Sequence, residues 1–121
     1  MLDDLQIADY ALDRRTHVIE VEGQVDLYSA PEFKERTARV IADGAKCVLI
    51  DLSRVTFLDS TGLGVLVGAL KRLRAARADL LLVVTDYDIE RLFELTGLDG
   101  SFRIFRSRDD ALEQLALSHG D

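Results

Sequence analysis

The chain has 121 residues, 48% of them hydrophobic, enough for one core and too few for two ordinary domains, so residues 1–121 are expected to form a single domain. Fifteen Lys and Arg face 22 Asp and Glu, a formal net charge of -7 with no basic tract, which argues against a nucleic-acid partner. Cys47 has no second cysteine, the opening "MLDDLQIADY" lacks a signal-peptide layout, and no apolar run approaches the roughly 20 residues that cross a bilayer. The expectation is a cytoplasmic protein with no membrane association.

In chain order, residues Leu5 to Leu12 and Thr16 to Val25 read as two strands of an edge hairpin, joined by the polar turn "DRRT". Ser29 and Glu32 have capping-box spacing, and Tyr28 and Phe33 have the spacing of a hydrophobic staple, so a helix is predicted from there to about Asp43, stopped by Gly44. "CVLI" at 47–50 is apolar throughout, as in a strand covered on both faces. A second helix follows "FLDST", then a strand "LLLVV" at 80–84, a helix from about Asp88 to Thr96 stopped at Gly97, and a short strand "FRIF" at 102–105. Ser107 begins a last helix with Leu112, Leu115 and Leu117 turned inward. The alternation predicts an α/β fold: a mixed sheet with an N-terminal hairpin and a largely parallel centre, carrying about four helices.

The junction "FLDSTGLGVL" carries the most information. With Asp59 as N-cap of the second helix, Leu58 and Leu63 form a staple; with Ser60 as cap, the pair would be Asp59 and Gly64, which makes no apolar contact. Asp59 is therefore the predicted cap, and the Ser60 hydroxyl is left without a structural duty. Leu63, Leu66, Val67, Leu70 and Leu73 share the stripe that faces the sheet. Thr61, Gly64, Val65, Gly68 and Arg72 share another side, a shallow and partly apolar strip suited to a partner. Gly64 and Gly68 serve equally to admit a neighbouring helix, and the pattern leaves both readings open. A phosphate on Ser60 would sit at a helix start, where amides and dipole favour an anion, yet would add about 1.5 to 2 negative charges beside Asp59.

"GQVD" at 23–26, "FLDSTGLGVL" at 57–66 and "RLFELTGL" at 91–98 together resemble the STAS-domain anti-sigma-factor antagonists, the small bacterial anti-anti-sigma proteins, over nearly the whole chain. The middle motif is the specific one. The resemblance implies that the unphosphorylated form binds an anti-sigma factor that is also an ATP-dependent serine protein kinase, so that a sigma factor is released. The kinase then phosphorylates the motif serine, and a serine phosphatase resets it. Carried over, Ser60 is the implied phosphoacceptor, Asp59 its acidic neighbour, and Asp26 the aspartate of the first motif near the same surface. The implied partner-binding residues are Asp26, Asp59, Thr61, Gly62, Leu63, Gly64, Val65 and Gly68. Gln24 departs from the Glu of many relatives and removes one negative charge there.

Other chemistries find little support. "GLGVLVG" places its third glycine at Gly68, one residue late for a dinucleotide fingerprint, and there is no Walker A run. His17 and His119 stand in the hairpin and the tail, without a Gly-x-Ser-x-Gly elbow. The expectation is a non-catalytic module with no cofactor or metal. Two alternatives stay open: a constitutive STAS scaffold or transporter-associated module that keeps the hydroxyl only as a cap, and a small nucleotide-binding protein using the glycines and helix amides. Asp26 serves equally as a turn-forming residue before Ser29.

Overall fold

A computed structural model describes residues 4–119, with side chains through 116. Two antiparallel strands open it, β1 (Gln6–Ala11) and β2 (Thr16–Val25), in register from Gln6↔Glu22 to Ala11↔His17. Their turn is closed by the Asp13 carboxylate, which accepts the Arg15 and Thr16 amides at 2.8 and 2.7 Å. Then follow α1 (Ala30–Ala42), β3 (Cys47–Leu58), α2 (Ser60–Ala75), β4 (Asp79–Val83), α3 (Tyr87–Leu95), β5 (Arg103–Phe105) and α4 (Arg108–His119). The strand order in the sheet is β1-β2-β3-β4-β5, antiparallel at the first pair and parallel thereafter. This is the mixed α/β architecture that the alternation predicts.

Because each parallel crossover steps one strand in the same direction, right-handed connections put α1, α2 and α3 on one face. Phe33 and Val40 of α1, Leu66 and Leu73 of α2 and Phe93 of α3 bury there with Ile19, Ile50 and Leu82. On the opposite face α4 brings Ala111, with Leu112 and Leu115, against Val18, Leu49, Leu81 and Val83. The Leu117 side chain lies outside the described residues. β3 is sandwiched between these layers, so "CVLI" is buried throughout, and burial pushes the Cys47 thiol up to about 12, which leaves it an inert core group.

β3 runs eight residues beyond "CVLI". Two register shifts against β2, between Glu20 and Glu22 and between Gly23 and Gln24, each place an extra residue in β3. They bring Leu52, Val55 and Leu58 to the same core although they are three residues apart. Gly23, at φ 96°, sits at the second shift, where a side chain would be strained. Gly44 and Gly97 end α1 and α3 with φ of 89° and 73°, as their positions suggest.

The start of α1 differs from expectation. Ser29 occupies the N-cap position, but its side chain caps nothing in the helix. Its hydroxyl donates to the Gln24 carbonyl at 2.8 Å and accepts from the Asp26 amide at 2.9 Å. Tyr28 is 90% exposed while Phe33 is fully buried, so the predicted staple does not form. The capping-box reading fails because the Ser29 hydroxyl is drawn backward into the turn that Asp26 closes.

Candidate functional site

The ends of β2 and β3 build the site. Val25 and Leu58 are paired across the sheet, so the next residues, Asp26 and Asp59, leave adjacent strands at the same edge. The Asp59 amide donates to the Val25 carbonyl at 3.2 Å, which locks the two exits together. Asp59 is extended, and its carboxylate accepts the Thr61 and Gly62 amides at 2.9 and 3.0 Å. It is thus the N-cap of α2, with Leu58 and Leu63 both buried in the core behind it.

Gly62 fixes the junction from beneath. A Cβ there would stand 2.6 Å from Leu58 Cδ1, 2.7 Å from Val25 Cγ1 and 3.2 Å from the Val25 carbonyl. Only a bare α-carbon lets the first turn settle onto the strand ends. Gly62 and Leu63 are therefore buried and offer a partner no side-chain surface, whereas Ser60 and Gly64 are exposed and Asp26, Asp59, Thr61, Val65 and Gly68 are half-buried.

Ser60 stands on the turn this arrangement holds. Its hydroxyl makes no hydrogen bond among the described residues. The Thr61 and Gly62 amides, which an anion at this helix start would seek, are already taken by Asp59. A charged group added to Ser60 would meet a carboxylate in their place, with no relief from those two donors.

Asp26 closes the turn before α1. Its Oδ1 accepts the Ser29 amide at 3.0 Å, the Ser29 hydroxyl at 3.1 Å and the Tyr28 amide at 2.9 Å. The Ser29 amide foremost, with the Ser29 hydroxyl and the Tyr28 amide, holds the Asp26 carboxyl below its ordinary value. The same turn presents Leu27, 62% exposed, and Tyr28 to solvent. Phe57 near the end of β3 and Tyr87 at the start of α3 are exposed as well. Since β2, β3 and β4 are parallel, Leu27, Tyr28, Phe57 and Tyr87 all lie toward the C-terminal ends of their strands. The exposure of Phe57 and Tyr87 was not legible, because an exposed aromatic looks the same in sequence as a core one.

Thr61, Gly64, Val65, Gly68 and Arg72 line one side of a groove of about 550 Å³ between α1 and α2, with Leu27, Pro31 and Lys34 across from them. Sequence reasoning placed the α2 strip and missed the α1 wall, although Pro31, Lys34 and Thr37 recur every three residues on one helix side. Among the described residues no group of three or more His, Cys, Asp or Glu converges to hold a metal ion.

The sequence and the fold both have counterparts among known proteins. A family model for the STAS domain matches residues 9–111. The chain belongs to the STAS-domain family of anti-sigma-factor antagonists. This STAS chain is 42% identical over 86 residues to an anti-sigma-B factor antagonist of Listeria monocytogenes, covering 71% of this chain and 75% of that one. It is 39% identical over 80 residues to an anti-sigma-B factor antagonist of Staphylococcus aureus, covering 66% and 74%. A crystal structure of an anti-sigma factor antagonist from Mycobacterium paratuberculosis matches the STAS chain with a TM-score of 0.85 at 30% identity, over 93% of this chain and 94% of the other.

Proposed function

We propose that this anti-sigma-factor antagonist is a non-catalytic binding module whose unphosphorylated form engages an anti-sigma factor and frees the sigma factor. In this reading the anti-sigma factor is also a serine kinase that uses ATP to phosphorylate Ser60, and a serine phosphatase restores the free hydroxyl. The observation that carries it is the state of Ser60: exposed, without a hydrogen-bond partner among the described residues, and held on a turn that Asp59 and Gly62 keep rigid. Family likeness supports the class of partner, and the relatives at 42% and 39% identity bear the name of antagonists.

Rigidity gives the switch its logic. Folding does not use the Ser60 hydroxyl, so a phosphate leaves the scaffold intact. It also places about 1.5 to 2 negative charges beside Asp59, on a surface that must be desolvated for docking. Each tenfold loss of affinity corresponds to about 1.4 kcal/mol, a small demand on a desolvated dianion. The scaffold reading, in which the hydroxyl survives only as a cap, loses its reason here, because Asp59 does the capping.

Calorimetric titration with the anti-sigma factor of the same organism tests this. Ser60→Ala should bind as the unmodified chain does and resist the kinase, and Ser60→Asp should lose binding with its fold unchanged. Equal affinity of the two variants would overturn the reading. Peptide mapping after incubation with that factor and ATP should find the phosphate on Ser60.

A further inference from the structure

The fold does not account for two glycines in the middle of α2. A Cβ added at Gly64 or Gly68 would meet no atom of the described residues within 4 Å, so neither glycine admits a packed neighbour among them. Each still weakens the helix by about 1 kcal/mol relative to alanine. What they do is lower the floor of the groove between α1 and α2. Val65 completes that floor, and Leu27, Lys34 and Arg72 stand at its rim. The lining holds two cations and no carboxylate, in a chain whose net charge is -7. Among the described residues, neither Lys34 nor Arg72 has an ion-pair partner. Thr61 belongs to the same lining, which makes the groove continuous with the turn that bears Ser60.

We propose that this groove receives an amphipathic helix of the protein partner, its apolar stripe laid over Gly64 and Gly68 and its acidic flanks against Lys34 and Arg72; this rests on the antagonist reading above. Bare α-carbons let a helix approach closely, Leu27 and Val65 supply apolar contact, and the two unpaired cations select carboxylates on the incoming flanks. The pairing also gives Ser60 phosphorylation a second point of action. A phosphate on the residue before Thr61 adds negative charge at the end of a groove that holds an acidic helix, so repulsion reaches the partner beyond the turn itself.

The test uses the full isotope-labelled chain and two helical peptides with the same leucine stripe, one flanked by glutamates and its twin by lysines, followed by amide chemical shifts. The glutamate peptide should perturb Gly64, Val65, Gly68 and Arg72, and its binding should weaken with added salt. The double variant Lys34→Glu/Arg72→Glu should bind it about tenfold more weakly and turn to the lysine twin. Gly68→Leu should abolish binding while its Tm stays at or above that of the unaltered chain. Equal binding of the twins, perturbation on another face, unchanged binding by Gly68→Leu, or self-association through these same amides, which would make a second copy the occupant, would each overturn the inference. If the unaltered chain binds no anti-sigma factor, the antagonist reading fails; if Gly68→Leu binds that factor undiminished, only the groove inference fails.

Discussion

Arg108 Nε donates to Asp51 Oδ2 at 2.6 Å and so joins the first residue of α4 to the middle of β3. The same guanidinium reaches the Tyr10 hydroxyl on β1 at 2.5 Å and the Glu20 carboxylate on β2, which ties α4 to three strands at once. Burial alone would raise the Asp51 carboxyl, but hydrogen bonds from Ser53 and Arg108 outweigh it and hold the group below its ordinary value. This cluster lies on the face opposite α1, α2 and α3, away from the groove. Arg108→Ala should cost about 2 to 3 kcal/mol in urea unfolding, since it strands a largely buried carboxylate. Arg108→Lys should recover only part of that, because an ammonium cannot reproduce the forked contact. Both variants should retain partner affinity, and a parallel loss of binding would place the cluster in the interface.

The N-cap and the residue beside it should separate cleanly in thermal unfolding. Asp59→Ala removes the acceptor for two first-turn amides and should cost about 1 kcal/mol, with Asp59→Asn keeping most of it. Ser60→Ala should change stability by less than about 0.5 kcal/mol, since that hydroxyl makes no hydrogen bond among the described residues.

The three glycines of α2 should respond in opposite senses. Gly62→Ala forces a methyl into Leu58 and Val25 and should destabilise by about 1 to 3 kcal/mol. Gly64→Ala and Gly68→Ala enter open space at helical φ and should each stabilise by about 0.5 to 1 kcal/mol. Denaturant midpoints for the three single variants decide it; a loss at Gly64 would reveal a packing role the open space does not show.

Acid should unfold the protein more readily than its ordinary carboxyls alone would. Hydrogen bonding from His17, followed by Arg36, holds the Asp9 carboxyl below its ordinary value against a raising effect of burial, and Asp51 is likewise depressed. A depressed folded-state value means that the unfolded chain takes up protons first. The contribution is therefore complete above about pH 4 and fades as pH falls through the folded-state values below it. Tm should be level between about pH 5 and 7 and drop steeply below about 4. Asp51→Asn, though less stable at neutral pH, should show the shallower acid limb.

The order of elements, the Asp59 cap with its Leu58–Leu63 staple, and the stops at Gly44 and Gly97 were legible in the sequence, because each depends on residues within four or five positions of one another. Periodicity likewise placed Leu63, Leu66 and Leu73 in the core and set Thr61, Gly64, Val65, Gly68 and Arg72 on one side of α2. The length of β3 was hidden for a definite reason. Its two bulges put Leu52, Val55 and Leu58 at intervals of three, a spacing no regular strand shows, and only pairing with β2 makes them a strand.

Competition between local partners was also undecidable from residue spacing. Ser29 has a capping-box partner in Glu32, yet its hydroxyl serves the turn closed by Asp26, because the chain leaving β2 must bend there. Whether Gly64 and Gly68 meet a neighbour or open space depends on how far α1 stands from α2, a distance set by the sheet beneath them. Arg108 finds Asp51 across 57 residues and Glu20 across 88. Short-range sequence determines where elements begin, end and turn their apolar sides; which distant charges meet, and which helix surface is left uncovered, follow only when the strands take their places in the sheet.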